Sequence, residues 1–199
     1  MSPALRKRLL AAAASVALAG GAYVASQPSA EVLLAMELGA HFESSGRHIG
    51  KPYVDRLGRG QPLTVCNGVT GPDVVADRYY TPDDCHRLEL PRYLQAERDA
   101  KRLFVHWVTY NVWVRASILD MIYNVGAQAV ADSSMRRLAN AGDLVGACAQ
   151  MPRWVYGTVA GQRTKLPGLV DRRDTTNELC AEWGRDGHFS AGLLARSSP

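Results

Sequence analysis

Glu43, Asp55 and Thr64 lie in one polar stretch, residues 41 to 68, that follows directly on an apolar run. Two carboxyl groups on either side of a Gly-rich turn can supply a proton donor and a charge partner for cleaving a glycosidic bond, and a nearby hydroxyl can hold the attacking water. The spacing is 12 residues from Glu43 to Asp55 and 9 from Asp55 to Thr64. Whichever carboxyl group acts as the acid must hold a proton, which shielding at the foot of a cleft favours, while its partner must stay ionised, which a polar turn favours. With water attacking from the far side of the sugar, the two carboxyl groups should lie about 6.5 to 9.5 Å apart.

The elements around this stretch must aim those groups. Glu31 to Glu43 reads as a helix with Val32, Leu33, Met36 and Ala40 on one stripe. Glu37 competes as the acid, but an offset of six residues turns about 600° around a helix, so Glu37 and Glu43 face opposite ways. Glu43, at the end of the run, is the better placed. Residues 44 to 80, rich in Gly, Pro and β-branched types, read as a small β-hairpin region. Thr81-Pro82-Asp83-Asp84 has the residue order of a helix start, with Pro91 expected to interrupt that helix and a second one expected over Tyr93 to Val105. Ser117, Ser133 and Asp143 read as further N-caps, and most of residues 92 to 185 as helical, around Trp107, Trp113, Ile118, Met121, Leu138 and Leu144. The fold class expected is α+β and mostly helical, with a small β-hairpin lobe and a larger helical one.

Composition narrows the function classes. Of the net charge of +4, Arg6, Lys7 and Arg8 carry three, and no basic stripe with interleaved aromatics follows, so nucleic-acid binding is not expected. The five histidines, His41, His48, His86, His106 and His188, show no ligand spacing, and neither metal nor cofactor is expected. Trp107, Tyr110 and Trp113 read first as core aromatics. Cys66, Cys85, Cys148 and Cys180 are even in number and suit an oxidising compartment. Three pairings are possible; Cys66 with Cys85 and Cys148 with Cys180 close the local loops of 19 and 32 residues, and each is preferred at about 3 to 4 kcal/mol of chain entropy.

After the basic trio comes a charge-free run of 17 residues, Leu9 to Ala25, with eight Ala and only three Leu. As a helix it would reach about 26 Å, just short of a hydrocarbon core of about 30 Å. The basic flank would keep the N-terminus cytoplasmic and send the rest across the membrane. A signal peptide cleaved near Ala25 or Ala30 and a fixed anchor are both open readings.

A resemblance ties these observations together. Glu43, then Pro52-Tyr53-x-Asp55-x-x-Gly58, then Leu63-Thr64-Val65-Cys66-x-Gly68-x-Thr70-Gly71 resembles the phage-type lysozymes, glycoside hydrolase family 24. Tyr123-Asn124-Val125-Gly126, Gly142-Asp143, Arg153-Trp154 and Gly168-Leu169-x-x-Arg172-Arg173 continue the likeness in order, so that it spans residues 37 to 184. The two loops joining Glu43, Asp55 and Thr64 are each about three residues longer than the family's, an insertion that costs little in loop closure. Ser44 and Val69 stand where the family commonly has Gly and His.

The resemblance implies a lysozyme-like fold and an endolysin muramidase, with Glu43 as general acid, Asp55 as base or electrostatic partner and Thr64 placing the water. It also implies a signal-arrest-release segment over residues 1 to 30 ahead of a catalytic domain over 31 to 199. Such a protein would tether to the host inner membrane, act on peptidoglycan in the periplasm and work as a monomer. A lytic transglycosylase, using one Glu and leaving anhydro ends, and a non-catalytic tethered wall-binding module are the alternatives.

Overall fold

Helix α2, Ala30–Ser44, carries Glu43 near its C-terminal end, and its apolar residues are buried on two sides. Val32, Ala35 and Met36 join the main core with Tyr93, Ala96, Phe104 and Ile118, while Leu34 and Leu38 join a second cluster with Leu5, Leu9 and Trp113. A helix apolar nearly all round must be covered nearly all round. It ends because Ser45 and Gly46 turn left-handed, with φ of 55° and 69°, and the Gly46 N–H closes back on the Ala40 carbonyl at 2.9 Å.

This computed structural model describes residues 1–18, 28–55, 60–159 and 161–183. The covering layer over α2 comes from helix α1, Pro3–Leu18, which buries Leu5, Leu9 and Ala13 at helical spacing and pairs Arg8 with Glu37 at 2.8 Å. The Met1 amine pairs with Glu178 at 2.8 Å. The helix thus starts earlier than the apolar run expected from Leu9, and the rest of that run, residues 19–25, lies outside the described residues. No described helix is long and apolar enough to cross a membrane.

The small lobe is an antiparallel sheet of three short strands, β1 (Tyr53–Val54), β2 (Leu63–Val65) and β3 (Val69–Thr70), in the order β1-β2-β3. Tyr53 pairs with Thr64 and Thr64 with Thr70. Its own apolar cluster comprises Val65, Cys66, Val69, Val74, Tyr80 and Cys85. The Cys66–Cys85 disulfide ties the β2–β3 turn to the next helix.

That helix, α3, runs from Pro82 to Leu103 without the break expected at Pro91. Pro91 removes one N–H, but both it and Arg87, whose carbonyl would have been the partner, are exposed, so water can satisfy the orphan. Behind it, α4 (Val112–Val125) is buried along most of its length. Its N-cap is Asn111, whose side chain accepts from the N–H groups of Trp113 and Val114; Ser117, expected as a cap, is instead internal and donates to the Trp113 carbonyl at 2.9 Å. Short helices α5 (Ala127–Ala131), α6 (Ser134–Asn140) and α7 (Leu144–Cys148) follow, the last two capped by Ser133 and Asp143. Helix α8, Pro167–Glu178, closes the lobe, and Cys148–Cys180 ties α7 to the wider turn after α8, Leu179–Trp183. Both disulfides are the local pairs preferred from the sequence. Between α7 and α8 lies a hairpin absent from the helical expectation, β4 (Tyr156–Val159) with β5 (Gln162–Lys165).

The start of α3 carries a pH signature. Asp84 accepts from the Thr81 N–H at 3.0 Å while the Thr81 hydroxyl accepts from the Asp84 N–H at 3.2 Å. The Thr81 N–H, its hydroxyl and Arg87 hold the Asp84 carboxyl down from 3.8 to about 2. A depressed carboxyl contributes stability that is complete above 3.8 and disappears as pH falls through about 2. Asp84→Asn should therefore flatten the stability-versus-pH curve between those values, as read by urea unfolding, and leave its shape above them unchanged.

Candidate active site

Where the two lobes meet, Glu43 and Asp55 line one cleft of about 440 Å³ with Asn67, Gly68, Arg92, Gln95, Tyr123 and Asn124. Glu37 lies away from it, paired with Arg8, as its opposite helical face requires. Tyr53 stands near both carboxyl groups: its phenol is raised by partial burial first, then by the charges of Asp55 and Glu43. Thr64 is buried in the central strand, where its hydroxyl donates to the Pro62 carbonyl at 3.1 Å. It is not among the residues that line the cleft; the wall beyond β2 is formed by Asn67 and Gly68.

Glu43 is held from behind. The Arg172 guanidinium donates to Glu43 Oε1 at 2.5 Å and grips Asp120 with Nε and Nη2, the shortest contact being 2.8 Å. Asp120 is fully buried and Arg172 is 3% exposed. Burial alone would lower Arg172, yet Asp120 and Glu43 more than offset it and the guanidinium is raised. Arg173 also reaches Asp120, at 3.4 Å, and bonds Asn124; burial brings it down to about 10, so it remains a cation at neutral pH. The arrangement leaves the two Glu43 oxygens unlike each other. Oε1 is taken by Arg172, while Oε2 faces Gly68, where an added Cβ would lie 3.7 Å from it. Oε2 is therefore the Glu43 oxygen on the Gly68 side of the cleft.

Opposite, the Tyr123 hydroxyl donates to the Asn67 carbonyl at 3.1 Å, and its ring stacks on Tyr93 with centroids 4.1 Å apart. Burial first, then the charge of Glu89, pushes the Tyr123 phenol well up, so it stays a donor. Asp120, Arg173 and Asn67 were not singled out from the sequence for this site. Asp120 had a signal: a lone carboxylate inside Ile118-Leu119-Asp120-Met121-Ile122 needs a buried cation.

A helical lobe and a small sheet with two carboxyl groups on the cleft between them define a lysozyme-like glycosidase. The phage lysozyme family pattern matches residues 40–176, and the chain belongs to that family. It is a muramidase endolysin: it hydrolyses the β-1,4 bond between N-acetylmuramic acid and N-acetylglucosamine in peptidoglycan and so lyses the host cell. A SAR-endolysin of Bacteriophage PS119 is 34% identical over 185 residues, 93% of this chain and 98% of its own. The endolysin from Escherichia coli O157:H7 phage FAHEc1 superposes with a TM-score of 0.67 at 20% identity, over 79% of this chain and 95% of its own. The active form of P1 phage endolysin Lyz gives 0.64 at 20% identity, over 90% and 97%. These two structures share the fold.

The charge cluster predicts a stability effect. Asp120→Ala strands two buried guanidinium groups and should cost about 3 to 5 kcal/mol, read by urea unfolding. A loss below about 1 kcal/mol would mean that water reaches the cluster.

Proposed function

We propose that Glu43 is the general acid of this muramidase and Asp55 the base or electrostatic partner. The observation that carries the reading is that both side chains line one cleft, with Glu43 held by Arg172 through Oε1. Oε2 of Glu43 protonates the glycosidic oxygen as the bond to the anomeric carbon breaks. Asp55 stabilises the cationic sugar and takes the proton of the water that attacks that carbon. Thr64 places this water once rotation about its Cα–Cβ bond turns its hydroxyl away from Pro62. Of the alternatives, a transglycosylase has no use for Asp55, and a wall-binding module has no use for a carboxylate anchored by a buried arginine.

Purified peptidoglycan separates the three readings. The wild type should yield reducing ends, Glu43→Gln and Asp55→Asn should each lose at least about a hundredfold in rate, and Thr64→Val should lose about ten- to hundredfold. Anhydro ends that persist in Asp55→Asn would replace the hydrolytic scheme with the transglycosylase one.

For the N-terminal segment, we infer that residues 1 to 30 first tether the enzyme to the inner membrane with the catalytic domain, residues 31 to 199, on the periplasmic side, and then leave the bilayer. Two observations support this. The PS119 relative carries the name SAR-endolysin, and α1 has its apolar face covered by Leu34, Leu38 and Trp113, an alternative to lipid. An Ala-rich helix gains little from hydrocarbon, so collapse of the membrane potential can release it. Two disulfides suit the periplasm, and a monomer suffices, because one chain supplies the whole cleft. Cells fractionated before and after depolarisation should show full-length protein passing from membrane to soluble fraction; retention in the membrane fraction would refute the release.

A further inference from the structure

Glu89 is a carboxylate only 5% exposed, on α3, outside the chemistry described so far. Burying a carboxylate is costly unless hydrogen bonds replace its water, and no Lys or Arg pairs with it among the described residues. Among the described residues, its hydrogen-bond donors come from one residue. The Asn67 N–H reaches Oε1 at 3.0 Å, and Asn67 Nδ2 reaches Oε1 at 3.0 Å and Oε2 at 3.1 Å.

Asn67 is the middle of the β2–β3 turn, between Cys66 at φ 58° and Gly68 at φ 82°. A non-glycine residue in that left-handed region is held there by its surroundings. The turn is gripped on both sides: Glu89 takes the Asn67 N–H and amide, and Tyr123 donates to its carbonyl at 3.1 Å. Cys85, one helical turn before Glu89 on the same face of α3, adds the covalent tie to Cys66. With its amide committed to Glu89, Asn67 presents the turn to the cleft, and Gly68 faces Glu43 Oε2, the oxygen that Arg172 does not take.

We infer that Glu89 is a positioning residue for catalysis: by holding the Asn67 turn it sets the wall that faces the proton-carrying oxygen of Glu43. The inference rests on the assignment of Glu43 as the acid. Glu89 touches no substrate and acts through Asn67 and Gly68. Its value lies in the transition state, where a shift of the wall by a fraction of an ångström misaligns the glycosidic oxygen with Oε2.

The test uses the full chain on soluble uncrosslinked glycan strands. Glu89→Gln keeps the shape but sets an amide NH2 against that of Asn67. It should lower kcat about ten- to hundredfold with KM within about threefold, the pattern of an interaction lost in the transition state. The paired exchange Glu89→Gln with Asn67→Asp restores one donor and one acceptor on each side, and should recover most of the lost kcat. Tyr123→Phe, which leaves Glu89 fully bonded, should lower kcat in the same sense by releasing the turn from the other side. Wild-type kcat in Glu89→Gln, a fall that only tracks the folded fraction measured by circular dichroism, a paired exchange no better than the single variant, or wild-type kcat in Tyr123→Phe would each overturn the inference. Glu43→Gln is assayed alongside. Full activity there would remove the underlying acid assignment, and that failure is distinct from one confined to residues 67, 89 and 123.

Discussion

The site depends on one buried contact, the two-pronged grip of Arg172 on Asp120. A guanidinium at the centre of a helical lobe is costly, and a carboxylate within hydrogen-bond distance makes it tolerable. Three helices contribute four charges: Glu43 from α2, Asp120 from α4, and both Arg172 and Arg173 from α8. Buried ion pairs are poor sources of net stability but strict about geometry. Here the geometry aligns the end of α2, so the rotamer of Glu43 follows from helices distant in sequence.

The apolar packing serves the same end. With one face in the main core and the other under α1, helix α2 is held along its length, and only its last turn opens on the cleft. The turn that faces this end is fixed independently, by a disulfide and by hydrogen bonds to α3 and α4. Each wall of the active cleft is thus anchored in more than one way to the same helical scaffold.

Local signals were legible in the sequence and long-range ones were not. Helix α2, the Thr81 cap and the Glu43-over-Glu37 choice follow from periodicity and residue order, and the short-loop disulfides from chain entropy. The uninterrupted α3 was hidden because a proline's cost depends on whether its orphaned carbonyl meets water, a matter of exposure. Ser117 looked like a cap and proved to be a back-bonded helix residue, because its fate was set by Asn111 six positions earlier. The β4–β5 hairpin has a solvated strand, Gln-Arg-Thr-Lys, with no alternation to betray it. The resemblance pointed to Glu43, Asp55 and Thr64, but only the fold brings Glu89 to Asn67, 22 residues away in sequence.

Helix α3 links the small lobe to the main core. Its first turns hold Cys85 and Glu89 against the sheet, and its later turns place Tyr93, Ala96 and Ala100 in the main core. Pro91 falls between the two groups, and a helix missing one rung of its ladder is most compliant there. Elastic opening and shutting of the groove around a glycan would concentrate at that point, leaving the anchored segments on either side to move as stiff bodies.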